Sequence, residues 1–490
     1  MKSLNLDKYL LDSYYLQYPK DIEIKHITFN SKLVRKNSIF VAIKGFKQNG
    51  NDYIDEAIKN NASLIVSEDL PTTNIKEAGF LVVKNARLAL SFLSRMVYNF
   101  PDKKLKIIAI TGTDGKTSTS FYTYSLLKSL NYKVGLICTT NLDTNGELVD
   151  SPYRQSTPDS NILFQLLDEC VVSNKEYVII EATSHALSKE FNRLSDIKFD
   201  ACIITTITNE HLDFHKTREN YINTKLNIIE KLKSNGFLVT TNKNKELDKC
   251  IEKAKASSRD YYILEKEFIP FIEQNNILKP ISIFYNEKEY NTNIYFDIFI
   301  NNVLLAALLI SKLTKIALED ILSNIINIED IKGRFNIINN NINRLIIIDF
   351  AHTADAFNKI FSQMLIEKRK IITVFGCGGE RDINKRYDMG KIAAQYSDII
   401  VLSEEDPRFE DNIAIMHDIE KGILSIDKKC NYYCINNRNE AINKALRLSN
   451  ENDILLFLGK GHETSIERKG IKYPYNEKTV IKEEIKKIYG

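Results

Sequence analysis

Short apolar runs of strand length alternate with longer helical patterns along almost the whole chain, and this alternation restricts the fold more than any other feature. The runs include SIFVAI (38–43), SLIVSE (63–68), KIIAIT (106–111), YVIIEA (177–182), ACIITT (201–206), RLIIIDF (344–350), KIITVFG (370–376), DIIVLS (398–403) and DILLFLG (453–459). Most are apolar on both faces, as parallel strands covered by helices require. The expected class is therefore α/β. A chain of 490 residues exceeds one hydrophobic core, and length alone suggests about three domains. The expected segments are 1–104, 105–332 and 333–490. The first holds the early strand-like runs up to LVV (81–83) and a helix around 86–99, and it ends where Pro101 and a basic turn precede a strong strand. The polar stretch 242–292 reads as the least regular part, and IKGRF (331–335) punctuates the chain before the third segment.

Composition excludes several classes of function. Hydrophobic residues make up 43% and charged residues 27%, the balance of an ordinary globular protein. Lys plus Arg number 67 and Asp plus Glu 64, interspersed, so the basic stripe of a nucleic-acid-binding protein is missing. No stretch approaches the roughly 18–20 apolar residues of a membrane helix, and the N-terminus lacks the apolar core of a signal peptide. The seven cysteines fall between Cys138 and Cys434 without C-x-x-C pairs. Reduced thiols in a cytoplasmic protein fit that pattern better than disulfides or a zinc site. Cys377 lies in a glycine-rich turn, with no base beside it in sequence.

The strongest local signal is GTDGKTS, Gly112 to Ser118, directly after KIIAIT and before the helical stretch SFYTYSLLKSL. Strand, glycine-rich turn and helix N-terminus are the context of a phosphate-binding loop. Successive backbone N–H groups of Gly112, Thr113, Asp114 and Gly115 can surround phosphate oxygens. Lys116 would neutralise the β- and γ-phosphates and the Thr117 hydroxyl would ligate Mg²⁺. The loop is shorter than G-x-x-x-x-G-K-[ST], whose first glycine would fall at Ile110, and this argues against a general P-loop kinase or GTPase.

TGTDGKT resembles the TGTNGKT signature of the Mur ligases and the related folylpolyglutamate synthetases, with Asp114 where Asn is usual. Further segments resemble the Mur family in its order: SPYRQSTPDS (151–160), EATSHALS (181–188), HLDFHKTRENY (211–221), KGRF (332–335), DFAHTADA (349–356), GCGGERDINKR (376–386), EEDPRFED (404–411) and GKGHET (459–464). ITFNSKLVRKNSIFVAIKGF (27–46) resembles the family's uridine-binding start. The chain is most similar to the tripeptide synthetase branch, because GCGG-x-RD, D-x-P-R and GKGHE occur together. The resemblance implies a UDP-binding N-terminal domain, a central parallel-sheet ATPase domain and a C-terminal Rossmann-like domain. It also implies an ATP-dependent ligase of peptidoglycan synthesis, acting in the cytoplasm as a monomer, without nucleic acid or membrane, and serving cell shape and division.

In that family the γ-phosphate of ATP activates the terminal carboxylate of UDP-MurNAc-L-Ala-D-Glu, and an amine then displaces phosphate. The matched positions carry the expectations for this chain. Glu181, at the carboxyl end of its strand where open α/β sheets bind ligands, is a Mg²⁺ ligand with Thr117. His211 approaches a second Mg²⁺, and Lys225 matches the lysine that the family carbamylates to N6-carboxylysine. Lys116, Lys225 and His211 form the catalytic set. Asn302 lies near adenine, Arg334 reaches the phosphates, and Asp349 and His352 lie on the nucleotide side, so that the third domain closes over the second. Ser31 and the Phe46–Lys47–Gln48 loop contact the uridine end. Ser156, Thr157, Thr183 and Arg193 hold the sugar-peptide, although Phe191 stands where Gln is usual and Thr206 replaces a common Asn.

Arg386, Asp406, Arg408, Gly459 and Glu463 match the positions around the incoming amino acid. Diaminopimelate-adding enzymes read D-N-P-R where this chain reads Glu405-Asp406-Pro407-Arg408. A carboxylate at 406 would oppose the distal carboxylate of diaminopimelate and attract a bare ammonium. That favours L-lysine or L-ornithine, with meso-diaminopimelate as the alternative and an Asp406–Arg408 pair without selectivity as a further one. More distant readings are a folylpolyglutamate synthetase-like ligase and a non-catalytic nucleotide-binding scaffold.

Overall fold

The computed structural model describes residues 13–17, 23–45, 48–70, 78–153, 155–208, 212–273, 279–328, 331, 333–364, 369–426 and 430–490. They form two compact units, one of Met1–Pro270 with Asn301–Asn327 and one of Phe271–Ile300 with Ile328–Gly490. Segment Phe271–Ile300 groups with the second unit.

The first unit contains two sheets. Strands β1 (Ser13–Gln17), β2 (His26–Thr28), β3 (Ser38–Val41), β4 (Ala62–Ser67) and β5 (Gly79–Val83) run in the order β1-β5-β4-β3-β2, parallel except for β1. Alternate residues supply two cores, as the pleat dictates. Ile39, Val41, Leu64, Val66 and Leu81 pack on the helix Ala86–Val97, while Phe40, Ile65, Phe80 and Val82 face Ala57 of the helix Ile54–Lys59. The helix expected over 86–99 stops at Val97 because Asn99 and Phe100 turn left-handed, at φ 57° and 53°, ahead of Pro101.

The larger sheet consists of β6 (Lys106–Thr111), β7 (Val134–Ile137), β8 (Asn141–Asp143), β9 (Val149–Asp150), β10 (Tyr177–Glu181), β11 (Phe199–Ile204), β12 (Leu232–Thr240) and β13 (Asp260–Ile263). Their order is β13-β12-β11-β6-β10-β7-β8-β9, parallel except that β8 runs against its neighbours β7 and β9. Register aligns Glu181 with Ile110 and Ile204 with Thr111, so three central strands end together at one carboxyl edge. The helix Lys116–Ser129 leaves that edge, and Arg218–Glu230 runs close by with Thr217 as its side-chain cap.

In the second unit, β14 (Phe271–Glu273), β15 (Ser282–Tyr285) and β16 (Lys288–Asn291) form an antiparallel meander. Together with the helix Leu247–Ala256 and β13 of the first unit, these strands give defined elements to 242–292, the stretch expected to be least regular. The meander strands are short and largely solvated, so they lack the apolar runs that marked the buried ones. A second sheet holds β17 (Asn336–Ile337), β18 (Leu345–Asp349), β19 (Ile371–Phe375), β20 (Ile399–Leu402), β21 (Asn431–Cys434) and β22 (Ile454–Leu458). Its order is β17-β18-β22-β19-β20-β21, parallel apart from β17, with apolar clusters on both faces. A hairpin, β23 (Ser465–Arg468) and β24 (Ile471–Pro474), follows. No helix among the described residues is long and apolar enough to cross a membrane.

Candidate active site

The phosphate loop leaves β6 and enters the helix Lys116–Ser129 through Gly115, at φ 79°. A side chain there would be strained, and its Cβ would lie 2.8 Å from Oδ1 of Asn302. The expected adenine-side asparagine therefore lies against the loop. Lys116 donates to the carbonyls of Gly112 at 3.1 Å and Thr113 at 2.7 Å, folding over the cradle it would share with a phosphate.

Glu181, 1% exposed, accepts from the Thr117 hydroxyl at 3.0 and 3.2 Å, and from the backbone N–H and hydroxyl of Thr139 at 3.0 and 2.8 Å. All these donors are neutral, and no cation among the described residues pairs with it. Burying a carboxylate on such terms is costly unless a cation joins it. Carboxylate and hydroxyl oxygens are the hard donors Mg²⁺ takes, so this pair fits that ion. His211, the other expected metal neighbour, lies outside the described residues.

Lys225, 1% exposed, donates to the same Gly112 carbonyl at 2.6 Å. Its Nζ lies 4.7 Å from the centroid of Tyr221, one turn earlier on the same helix face. The Tyr221 hydroxyl meets Thr113 Oγ1 at 3.0 Å and so ties this helix to the loop. Two ammonium groups thus converge on one carbonyl oxygen. Thr139 and Tyr221 were not singled out in the sequence. Their signals were available: Thr139 follows the end of β7 at the ligand-binding edge, and Tyr221 stands four residues before Lys225.

The sugar-peptide positions gather around the same carboxylate. The Ser156 hydroxyl meets that of Thr139 at 2.7 Å. Thr157 donates to the Glu181 carbonyl at 2.7 Å and meets the Thr183 hydroxyl at 3.2 Å. Arg193 is buried, bonded to Asp159 at 2.8 Å and to the Thr157 carbonyl at 3.1 Å. Just beyond β2, in the 3-10 turn Ser31–Leu33, Ser31 is buried and donates to Glu56 at 2.5 Å. Gln48 is exposed, and Phe46 and Lys47 lie outside the described residues.

The second unit carries the remaining positions. Asp349 is buried, with both oxygens used by the N–H groups of Phe335 and Ala351 at 2.8 and 2.7 Å. Burial raises its pKa against the pull of Arg334. The Arg334 guanidinium lies over the Phe350 ring, and His352 Nδ1 is 2.8 Å from the Phe350 carbonyl. Arg386 is buried and bridged to Glu410 and Asp418 at 2.8 and 3.2 Å.

Asp406 pairs with Lys460 at 3.0 Å, and Lys460 also holds Glu463 at 2.6 Å. Arg408, at φ 52°, donates to the Gly379 carbonyl at 2.5 Å and faces Glu467 at 3.6 Å. Among the described contacts the partner of Asp406 is therefore Lys460 rather than Arg408. Lys460 stood inside the quoted GKGHET without being singled out. Beside it, Glu405 is buried with Oε2 unbonded, and burial pushes its pKa up to about 7, opposed by Lys385 and Lys460. Gly459, at φ 100°, leaves room for that oxygen, since a Cβ there would lie 2.9 Å from it. Burial also pushes the Cys377 thiol up to about 12, so it is no nucleophile at neutral pH.

Three family descriptions match successive parts of the chain: "Mur ligase family, catalytic domain" over residues 23–96, "Mur ligase middle domain" over 110–310, and "Mur ligase, glutamate ligase domain" over 333–461. The chain belongs to the Mur ligase family, with its three-domain α/β fold, and is an ATP-dependent ligase of that family. It is 36% identical to the UDP-N-acetylmuramyl-tripeptide synthetase of Borreliella afzelii, over 99% of this chain and 98% of the relative. It is also 32% identical to the UDP-N-acetylmuramoyl-L-alanyl-D-glutamate–2,6-diaminopimelate ligase of Cytophaga hutchinsonii, over 94% of this chain and 95% of the relative. Among solved structures, MurF of Acinetobacter baumannii shares the fold with a TM-score of 0.69 at 18% identity, covering 99% of this chain and 98% of that one.

Proposed function

We propose that this enzyme joins a diamino acid to UDP-MurNAc-L-Ala-D-Glu at the expense of ATP, in peptidoglycan precursor synthesis. The observation that carries the reading is the convergence of the phosphate loop, Thr117, Glu181 and Lys225 at one sheet edge, beside Ser156, Thr157 and Thr183. The D-glutamyl carboxylate attacks the γ-phosphorus, ADP leaves, and the amine then attacks the acyl phosphate and releases phosphate. Catalysis is chiefly alignment and charge neutralisation of two anions that repel each other. Lys116 leaves its loop carbonyls to meet the phosphates, Asn302 is assigned to the adenine end, and Arg334, Asp349 and His352 are assigned to nucleotide binding. Thr117 and Glu181 would hold Mg²⁺, which would supply charge neutralisation at the phosphates. His211 and Lys225 as N6-carboxylysine are assigned to a second ion. Ser31 with residues 46–48 takes the uridine end, and Ser156, Thr157, Thr183 and Arg193 take the sugar-peptide. The domains we assign are 1–104, 105–332 and 333–490, acting as a cytoplasmic monomer.

For the amino acid we favour L-lysine or L-ornithine. Asp406 and Glu463 both meet the single ammonium of Lys460, two carboxylates on one cation. Such a site attracts an ammonium and disfavours the extra carboxylate of diaminopimelate. Arg386, Arg408 and Gly459 complete the proposed amino-acid site. The test is phosphate release with ATP, Mg²⁺ and the sugar-dipeptide, offering lysine, ornithine and meso-diaminopimelate in parallel. Release with lysine or ornithine is expected. Preference for diaminopimelate refutes the charge argument, and silence with all three refutes the substrate assignment.

A further inference from the structure

A half-buried cation in the first unit has no hydrogen-bond or ion-pair partner among the described residues. Arg87 lies in the first turn of the helix Ala86–Val97, and its guanidinium carbon is 5.1 Å from the centroid of the Phe191 ring. The guanidinium of Arg193 lies 5.0 Å from the same ring. Arg193 is committed to Asp159 and the Thr157 carbonyl. Arg87 makes no hydrogen bond or ion pair among the described residues. The carboxylates near it are Asp159, Glu190 and Glu68. Asp159 is taken by Arg193, and Glu68 accepts from the Ala86 N–H at 2.9 Å. Burial and the neighbouring Arg193 both weigh against the charged form of Arg87.

Phe191 is held in place for this role. Its ring packs on His185 and Phe214 at 5.8 and 5.6 Å, and those two stack on each other at 4.2 Å. An aromatic ring against a guanidinium face leaves the N–H edge free for a planar oxyanion. Asp159, Glu190 and Glu68 offset the repulsion between the two guanidinium groups, yet burial still disfavours the charged form of Arg87, and a further anion between the groups would relieve this. Thr157, which receives Arg193, also contacts Thr183 and the Glu181 carbonyl, so the pair borders the proposed sugar-peptide site.

We infer that Arg87 is a further substrate-contacting residue, its guanidinium joining that of Arg193 beside Phe191 to take an oxyanion of the UDP-sugar peptide. The inference rests on the function proposed above. It adds that the smaller sheet's helix, and not only the uridine end, grips the substrate. The oxyanion is a phosphate of the diphosphate or a carboxylate of the peptide; both suit the fork of an arginine.

The test compares wild type with Arg87→Met, which keeps the packing on Phe191 without charge, and Arg87→Lys, which keeps charge without the fork. Phosphate release is measured against each substrate in turn, with UDP as a competing ligand. In Arg87→Met the KM for UDP-MurNAc-L-Ala-D-Glu rises about 10- to 100-fold, the range for losing a charge-assisted hydrogen bond. The KM values for ATP and amino acid stay unchanged, and Arg87→Lys falls between. Weaker inhibition by UDP, by the same factor, assigns the diphosphate; unchanged inhibition by UDP assigns the peptide carboxylate. An unchanged sugar-peptide KM overturns the inference and leaves the function standing. So does a parallel rise in all three KM values with a lowered melting temperature, which marks a structural role. A wild type inactive on the sugar-dipeptide removes both.

Discussion

Replacing Glu405 with Gln removes a buried carboxylate whose neutral form the fold prefers, so the effect on stability depends on pH. Burial raises the pKa of Glu405 from 4.5 to about 7, against the attraction of Lys385 and Lys460, and Oε2 has no hydrogen-bond partner. A pKa raised on folding contributes stability that is complete below the unfolded value and lost as pH rises through the folded one. The shift of about 2.5 units corresponds to about 3 kcal/mol at ~1.36 kcal/mol per unit. Between about pH 5 and about pH 8, most of this, about 2.5 kcal/mol, should disappear in the wild type and not in Glu405→Gln. Hydrogen exchange of amides in β22, in the core of the same unit, reports its opening free energy once intrinsic rates are corrected for pH. Taking the difference between wild type and variant cancels the other titrating groups. A difference that stays flat across this range would refute the reasoning, because the carboxylate would then be no more reluctant to ionise in the fold than outside it.

Three other outcomes are expected. Thr117→Val removes the hydroxyl that meets Glu181; kcat should fall at least about tenfold, and the fold should lose about 2 kcal/mol, the worth of a hydrogen bond to a charged group. Lys225→Ala should abolish phosphate release, with partial recovery on adding short carboxylic acids; no recovery at any concentration would count against a carbamate oxygen at that position. Asp406→Asn should shift kcat/KM towards meso-diaminopimelate relative to lysine by about tenfold, the worth of one unfavourable charge contact, and an unchanged ratio would place selectivity elsewhere.

Much of the fold was legible because buried parallel strands must be apolar on both faces and so stand out as runs. KIIAIT emerges as β6 with the expected limits, and YVIIEA places Glu181 at the end of β10. The meander over 271–291 was not legible, since short solvated strands carry no such run. The site divides in the same way. Gly112 to Thr117 are contiguous, and a loop that cradles phosphate with its backbone needs its residues in a fixed order, so sequence alone exposes it.

Contacts between distant segments have no such local signature. Only the register of β6 and β10 brings Glu181 to Thr117, and only the packing of the helix Arg218–Glu230 sets Lys225 on the Gly112 carbonyl. Asp406 likewise finds Lys460 rather than Arg408 because backbone geometry, with Arg408 left-handed and turned to Gly379, decides which charge is within reach. The sequence by itself determined the fold class, the phosphate loop and the kinds of charge available. Tertiary structure decided which charges meet, because pairing depends on distance in space, which order along the chain does not set.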